Sequence, residues 1–131
     1  MSVVLGFDTA TAHTVVAVLA EGRGPVELRH VPGPGERPGH ATRLLPLARR
    51  ALAAAGLRFG DVDRLAVGVG PGTFTGLRIG VATGRALAQA GGAAVVPVST
   101  LRALAAAAGH DGPVLAALDA RRGEAFAAAW R

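Results

Sequence analysis

A strand that runs through a glycine-rich turn into a helix is the feature that most constrains the fold of this chain. The stretch VGVGPGTFTGLRIG spans residues 67–80 and places Gly70, Pro71 and Gly72 at the turn. This arrangement points backbone N–H groups and the positive end of a helix dipole at one place, which suits an anion. A plain tight turn is the alternative, because Pro71 favours an extended Gly70 and Gly72 can adopt backbone angles that other residues avoid.

The turn matches neither of the common nucleotide-binding motifs. No lysine follows the glycines as it does in a Walker A loop. The acidic residue of a dinucleotide-binding fingerprint, expected about twenty positions further on, is also missing, because residues 92–98 contain no carboxylate. The turn alone is therefore a weak phosphate motif, and a tight turn with Thr73 or Thr75 as helix cap is favoured.

Three glycines of the following helix share one face. Gly76, Gly80 and Gly84 lie at positions i, i+4 and i+8. Each glycine inside a helix costs roughly 0.5–1 kcal/mol relative to alanine, so the stripe indicates a close contact that compensates. Either the sheet or helices of the same chain, or a partner helix, can make that contact. The glycine face of this helix can pack against only one of these two neighbours.

Apolar periodicity along the chain predicts an α/β fold, with helices packed on a mixed sheet. The predicted strands are residues 3–10, 14–20, 26–31, 65–69, 95–98, 113–118 and 124–130, and the predicted helices are residues 41–55, 75–90 and 100–108. We expect Gly56 to end the first helix, Gly91 and Gly92 to end the second, and Ser99 to cap the third. The element order is typical of an α/β layer.

Two segments of the chain resemble each other. VLGFDTATAHTVVAVL from Val4 and LAALDARRGEAFAAAW from Leu115 align without gaps, with Asp8 opposite Asp119, and each is predicted to form a β-hairpin. Such internal similarity indicates a duplicated architecture. The chain ends at Arg131 within or just after a strand, so we expect a truncated chain whose second repeat has only begun.

Composition excludes several kinds of catalytic and metal site. The chain has no cysteine and no GxSxG segment, so thiolate ligands, disulfides and the usual cysteine or serine nucleophiles are excluded. The four histidines lie far apart in sequence and form no local ligand pair. We expect them at the surface or in turns, with a capping or packing role for His40 at a helix start.

Charge and hydropathy leave the class of partner open. The formal net charge of +5 comes from arginine, because the chain has no lysine, and the arginines are scattered. With few aromatic residues to stack on bases, this charge is compatible with an RNA-related role without indicating one. No apolar run is long enough to span a bilayer and no signal peptide is present, so we expect a cytoplasmic protein without membrane contact.

Five segments together resemble the bacterial TsaB (YeaZ-like) family. They are FDTATAHTVVAV, HATRLLP, GVGPGTFTGLRIGV, PVSTLRALA and LDARRGEAF, in that order and spacing. Family members serve the biosynthesis of threonylcarbamoyladenosine beside the tRNA anticodon. The resemblance implies the actin-like ATPase fold of sugar kinases and Hsp70, which is RNase H-like and built from two duplicated lobes. Residues 1–100 would form the first lobe, and residues 101–131 the opening helix and hairpin of the second.

The resemblance also implies a binding role rather than catalysis. The family is related to the catalytic subunit TsaD, carries the old glycoprotease-like label and is regarded as its non-catalytic partner, in a complex that the ATPase TsaE completes. Members homodimerise when alone. ATP and metal would belong to the partner subunits, so no cofactor is expected in this chain and tRNA would be bound indirectly. The HxxxH metal pair of the catalytic relative is missing, since Thr100 and Leu104 stand there.

Two sets of residues form the predicted site. The resemblance places the partner interface on the helices at 41–55 and 75–90, and we expect the glycine stripe to be its contact face. The interface residues are Leu44, Leu45, Ala48, Leu52, Gly76, Leu77, Gly80, Thr83, Gly84 and Leu87. A vestigial phosphate loop comprises Asp8, Thr9, Gly70, Gly72 and Thr73. Asp8 stands where actin-like folds place a carboxylate near metal and phosphate, and turn capping is the alternative role for Asp8 and for Asp119.

The sequence leaves three alternatives to the scaffold role. A phosphotransferase or acyltransferase of the actin-like superfamily would bind ATP itself through Asp8 and residues 70–73. A glycoprotease-like metallopeptidase is disfavoured by the missing histidine pair. Direct tRNA binding would depend on the arginines.

Overall fold

A computed structural model describes all 131 residues as a five-stranded sheet with helices, followed by a separate hairpin. The strands are β1 (Val3–Asp8), β2 (Thr14–Ala20), β3 (Val26–His30), β4 (Arg64–Gly68), β5 (Ala94–Val98), β6 (Val114–Arg121) and β7 (Glu124–Trp130). The helices are α1 (His40–Ala54), α2 (Phe74–Gly91) and α3 (Thr100–Ala107), and a 3-10 turn covers Phe59–Asp61. All predicted helices and strands are confirmed, whereas the 3-10 turn, which is too short to show a periodic pattern, was not predicted.

The five-stranded sheet is mixed, as predicted. Its strand order is β3-β2-β1-β4-β5, and β6 pairs only with β7. β1 is antiparallel to β2 and parallel to β4, which is in turn parallel to β5. The parallel pairs need crossover connections, and α1 and α2 provide them. As a result, β1 lies in the middle of the sheet with its carboxyl end beside the turn that precedes α2.

One face of the sheet forms the hydrophobic core under α1 and α2. Alternate residues of β1 are buried, which is the pattern of a strand with one covered face. Leu44, Leu47 and Leu52 of α1 pack in the same core as Leu5 and Val67 of the sheet. No helix combines the length and the uninterrupted apolar character that a transmembrane span requires.

Glycines end both long helices where predicted. Gly56 has φ +71° after α1, and the N–H groups of Gly56 and Leu57 donate to the carbonyls of Ala53 and Leu52. This pairing is the Schellman motif, which needs a left-handed residue at that position. Gly92, with φ +75°, ends α2 in the left-handed conformation as well.

His40 ties the start of α1 to the turn between β1 and β2. It is buried, with 4% of its surface exposed, so its predicted packing role is confirmed and it does not lie at the surface. Nε2 lies 2.8 Å from the Thr11 carbonyl oxygen and Nδ1 lies 2.7 Å from the Thr14 hydroxyl. Because a carbonyl can only accept, Nε2 carries the proton and Nδ1 accepts from Thr14.

Burial lowers the pKa of His40 below its ordinary value of 6.5, because the charged ring would lose its hydration. The hydrogen bond to the Thr11 carbonyl and the charge of Asp8 oppose this effect, and His30 adds to it. The folded protein therefore protonates His40 less readily than the unfolded chain does.

We predict that the protein loses stability as the pH falls below 6.5. Between 6.5 and the lower pKa of the folded state, only the unfolded chain binds a proton at His40, so the free energy of unfolding decreases by at most about 1.4 kcal/mol per pH unit. His40→Asn should remove this contribution to the slope, and urea unfolding across the pH range measures it. The control is His110→Asn, because His110 is exposed. A slope that His40→Asn leaves unchanged would contradict the prediction.

Candidate functional site

The carboxyl end of β1 and the glycine-rich turn form one hydrogen-bonded unit. The Thr100 hydroxyl donates to Asp8 Oδ2 at 2.8 Å and accepts from the Gly70 N–H at 3.1 Å. The N–H of Thr73 donates to the Ala10 carbonyl at 2.9 Å. The structure thus brings the residues predicted for the vestigial phosphate loop together, and adds Thr100 from α3 as the link between Asp8 and the turn.

Part of the hydrogen-bonding capacity of the turn is used within the chain. The N–H of Gly70 is bound to Thr100, that of Thr73 to Ala10, and the Thr73 hydroxyl caps α2 by accepting from the Gly76 N–H at 3.2 Å. Gly70 has φ +94°. We expected an extended backbone at Gly70 and special backbone angles at Gly72, and this is wrong, because the residue with the positive φ is Gly70. Glycine is needed at position 72 for another reason: a Cβ there would collide with the backbone of Ala10.

The Asp8 carboxylate has a structural role in the turn. Both carboxylate oxygens of Asp8 accept hydrogen bonds, Oδ1 from the Ala10 N–H at 2.8 Å and Oδ2 from Thr100. The carboxylate also lies directly against Gly68, where any side chain would collide with it. No group of three or more histidine or acidic side chains could hold a metal ion. Asp8 thus has the turn-capping role, and joins β1 to the loop.

The second hairpin repeats this capping bond. Asp119 Oδ1 accepts from the Arg121 N–H at 2.7 Å, as Asp8 Oδ1 accepts from Ala10, so the aligned aspartates make the same i to i+2 contact. Between the two hairpins and the loop lies an open cleft of about 510 Å³. Its polar and charged lining residues are Thr11, Thr73, Asp119 and Arg121.

The glycine stripe of α2 faces the chain's own sheet, so the prediction that it is the partner contact face is wrong. A Cβ at Gly76 would overlap the Thr9 carbonyl oxygen, and one at Gly80 would lie 2.5 Å from the Thr9 hydroxyl. A Cβ at Gly84 would lie 2.8 Å from Val67 Cγ2. All three glycines are buried, because the helix backbone itself packs on β1 and β4.

Several other predicted interface residues are also inside the fold. Leu44, Ala48 and Leu52 are each at most 2% exposed and belong to the core, so they are not available to a partner. Leu77, Thr83 and Leu87 flank the glycine stripe and are half-buried. Of the predicted set, Leu45 alone is exposed.

The surface that α1 and α2 present to solvent combines exposed apolar side chains with arginines. We call this surface the outer helix face, and its members are Arg43, Leu45, Arg49, Arg50, Phe74, Arg78, Val81 and Arg85. The α2 members lie at i, i+4, i+7 and i+11, which is one face of a helix and the side opposite the glycines. The same spacing is present in the sequence, so it could have predicted this exposed face of α2.

The family described as TsaD, tRNA N6-adenosine threonylcarbamoyltransferase, matches residues 36–130 of the chain. This range runs from just before α1 nearly to the end of β7, and so includes the glycine-rich turn and the second hairpin.

Two curated relatives carry the name tRNA threonylcarbamoyladenosine biosynthesis protein TsaB. The relative from Haemophilus influenzae is 40% identical over 125 residues, which cover 93% of this chain and 51% of the relative. The relative from Escherichia coli is 36% identical over 126 residues, which cover 94% of this chain and 52% of the relative. The chain therefore spans about half the length of the curated relatives it matches.

A solved structure of YeaZ from Pseudomonas aeruginosa has the same fold. It superimposes with a TM-score of 0.89 at 39% identity, covering 100% of this chain and 61% of that one. The mixed sheet and its crossover helices fit the actin-like, RNase H-like fold that the sequence resemblance implies.

We predict that Gly76→Ala destabilises the fold by about 1–3 kcal/mol, because the added methyl group overlaps the backbone of Thr9 and forces α2 away from the sheet. Gly91→Ala is the matched control. Gly91 is the last residue of α2 and an added Cβ meets nothing within 4 Å, so alanine should leave stability unchanged or raise it slightly. Thermal or urea unfolding of both variants gives the comparison. Equal losses would show that the close contact does not set the cost.

Proposed function

The chain belongs to the TsaB (YeaZ) family, and on that basis we propose that it acts in tRNA threonylcarbamoyladenosine biosynthesis as a non-catalytic partner subunit. The proposed partner is a TsaD-like catalytic subunit, in a cytoplasmic complex that a TsaE-like ATPase completes. In this proposal ATP and metal belong to the partner subunits, and tRNA reaches this chain only through the complex. A second copy of the chain is the other candidate partner for the same surface.

The observation that carries the proposal is the exposed apolar part of the outer helix face. Phe74 is 74% exposed, and Leu45 is 48% exposed on the neighbouring helix. The guanidinium of Arg78 lies 5.3 Å from the centroid of the Phe74 ring, so an aromatic and a cationic side chain stand together on the surface. Aromatic residues and arginine are the types that contribute most to protein interfaces.

The geometry of the vestigial phosphate loop supports a non-catalytic role. Asp8 accepts hydrogen bonds through both oxygens, and the N–H groups of Gly70 and Thr73 donate to Thr100 and Ala10. An ATP-binding phosphotransferase or acyltransferase would need these groups to face the substrate. The metallopeptidase alternative lacks its ligands, since the described residues hold no metal-binding cluster.

We predict that Phe74→Ser weakens binding to the TsaD-like subunit about thirtyfold or more, the effect of losing a central aromatic anchor. The rate of tRNA threonylcarbamoylation by the reconstituted complex should fall in parallel, because the catalytic subunit then works without its partner. Biolayer interferometry and a tRNA modification assay provide the two measurements. The protein alone should modify no tRNA.

Leu19→Ser is the matched control for this experiment. Leu19 is 54% exposed on β2, and its side chain alternates with those of Val16 and Val18, which face the core. The substitution therefore removes a similar exposed apolar group from the opposite face of the sheet. If Leu19→Ser disrupts pairing and Phe74→Ser does not, the partner surface lies on the other side of the molecule and the proposal is wrong.

A further inference from the structure

One turn of the chain combines an aspartate, a glycine and an exposed histidine. Asp111 and Gly112 lie between α3 and β6 and are the only aspartate–glycine pair in the sequence, which also lacks asparagine. In such a pair the backbone nitrogen of the glycine can attack the side-chain carboxyl of the aspartate, because glycine has no Cβ to shield that nitrogen. The product is a five-membered succinimide ring, which opens to isoaspartate. The sequence thus contains one candidate site for this modification.

The carboxyl group of Asp111 is free to make this contact. The other four aspartates each accept a hydrogen bond from a backbone N–H, namely Asp8, Asp61, Asp63 and Asp119. Asp111 accepts none, forms no ion pair and is exposed. A cavity of about 270 Å³ lies beside the turn, with His110, Asp111 and Gly112 in its lining. The side chain therefore has both the freedom and the space to fold back onto the following nitrogen.

His110 supplies a base at the attacking nitrogen. The Gly112 N–H donates to Nδ1 of His110 at 2.8 Å, so Nδ1 is the unprotonated nitrogen of a neutral ring. An amide nitrogen is a poor nucleophile until it loses its proton, and transfer of that proton to a positioned side chain is general-base catalysis. The nitrogen that must attack Asp111 is thus the one already hydrogen-bonded to a base.

We propose that Asp111 is a site of isoaspartate formation, with His110 as the base. The Gly112 nitrogen gives its proton to His110 Nδ1 and forms a bond to Cγ of the protonated Asp111 carboxyl. The hydroxyl of that carboxyl takes the proton back from His110 and leaves as water. A second water molecule then opens the ring. Attack at Cγ restores aspartate, whereas attack at the main-chain carbonyl carbon of Asp111 breaks its bond to the Gly112 nitrogen and yields isoaspartate.

The modification changes the link between α3 and β6. In isoaspartate the main chain passes through Cβ and Cγ, so the link gains one carbon, and the α-carboxyl group becomes a free carboxylate beside it. That carboxylate is the group that S-adenosylmethionine-dependent isoaspartyl methyltransferases esterify. The exposed turn is accordingly a substrate for an enzyme of this class, and β6 begins at Val114, directly after Pro113.

Ageing of the purified protein in warm neutral buffer tests the proposal. Trypsin cuts after Arg102 and Arg121 and so releases residues 103–121, which contain both Asp111 and Asp119. Isoaspartate should form at residue 111 and not at residue 119. It is detected as a peptide of unchanged mass, altered retention and isoaspartate-specific fragments on electron-transfer dissociation. The aged protein should also accept methyl groups from an isoaspartyl methyltransferase, and fresh protein should not.

Three variants separate the base from the dipeptide. His110→Ala keeps Asp111 and Gly112 and should slow isoaspartate formation about tenfold or more, because the nitrogen loses its base. His13→Ala is the matched control, since it removes a histidine from the turn between β1 and β2 and should leave the rate unchanged. Asp111→Asn forms the same ring with loss of ammonia, so its change in mass on deamidation reports ring closure. His110 and Asp111 are exposed, so their variants should unfold like the wild type in urea.

Three results would overturn the proposal. Aged protein without isoaspartate at residue 111, or with equal amounts at residue 119, removes the site. An Asp111→Asn variant that keeps its amide shows that the turn forbids the ring. A rate that His110→Ala leaves unchanged or raises removes His110 as the base, because the hydrogen bond would then be idle or protective. None of these results bears on pairing with a catalytic subunit, so the proposed function stands in each case.

Discussion

The contact between the backbone of α2 and the end of β1 is the interaction on which the rest of this structure depends. Gly76 and Gly80 lie against Thr9, whose hydroxyl donates to the Gly76 carbonyl at 2.6 Å, and Gly84 lies against Val67 and Phe7. The three glycines weaken an isolated helix by about 2–3 kcal/mol, so α2 needs this packing to persist. A side chain at these positions would displace the helix and the turn that leads into it.

The same contact explains why the turn has the shape of a phosphate loop although Asp8 and the Gly70 N–H form hydrogen bonds within the chain. With α2 close to β1, the turn closes onto Ala10, and Thr100 enters from α3 to bond both Asp8 and Gly70. Hydrogen-bond donors that are satisfied inside the protein gain little from a ligand, which would have to replace those bonds. The loop therefore stabilises the junction between β1, α2 and α3.

Local patterns in the sequence predicted most of the helices and strands. They could not predict which part of the protein, or which partner, packs against a given helix face. The ends of α1 and α2 follow from Gly56 and Gly92, because only a left-handed residue completes those caps. The i, i+4, i+8 spacing of the glycines identifies a face of a helix, but it is the same whether a sheet or a partner covers that face. The Asp8–Thr100 bond joins residues 92 positions apart, so no local pattern reports it.

The orientation of α2 places its glycines against the sheet and its arginines in solvent. Once the glycine side of α2 lies on the sheet, the side that holds Phe74, Arg78 and Arg85 must face away from it, because these residues are on the opposite side of the helix. In water the guanidinium groups are well solvated, whereas the apolar side chains between them favour burial. The orientation set by Gly76, Gly80 and Gly84 therefore places a surface of mixed apolar and cationic character on the outside of the molecule.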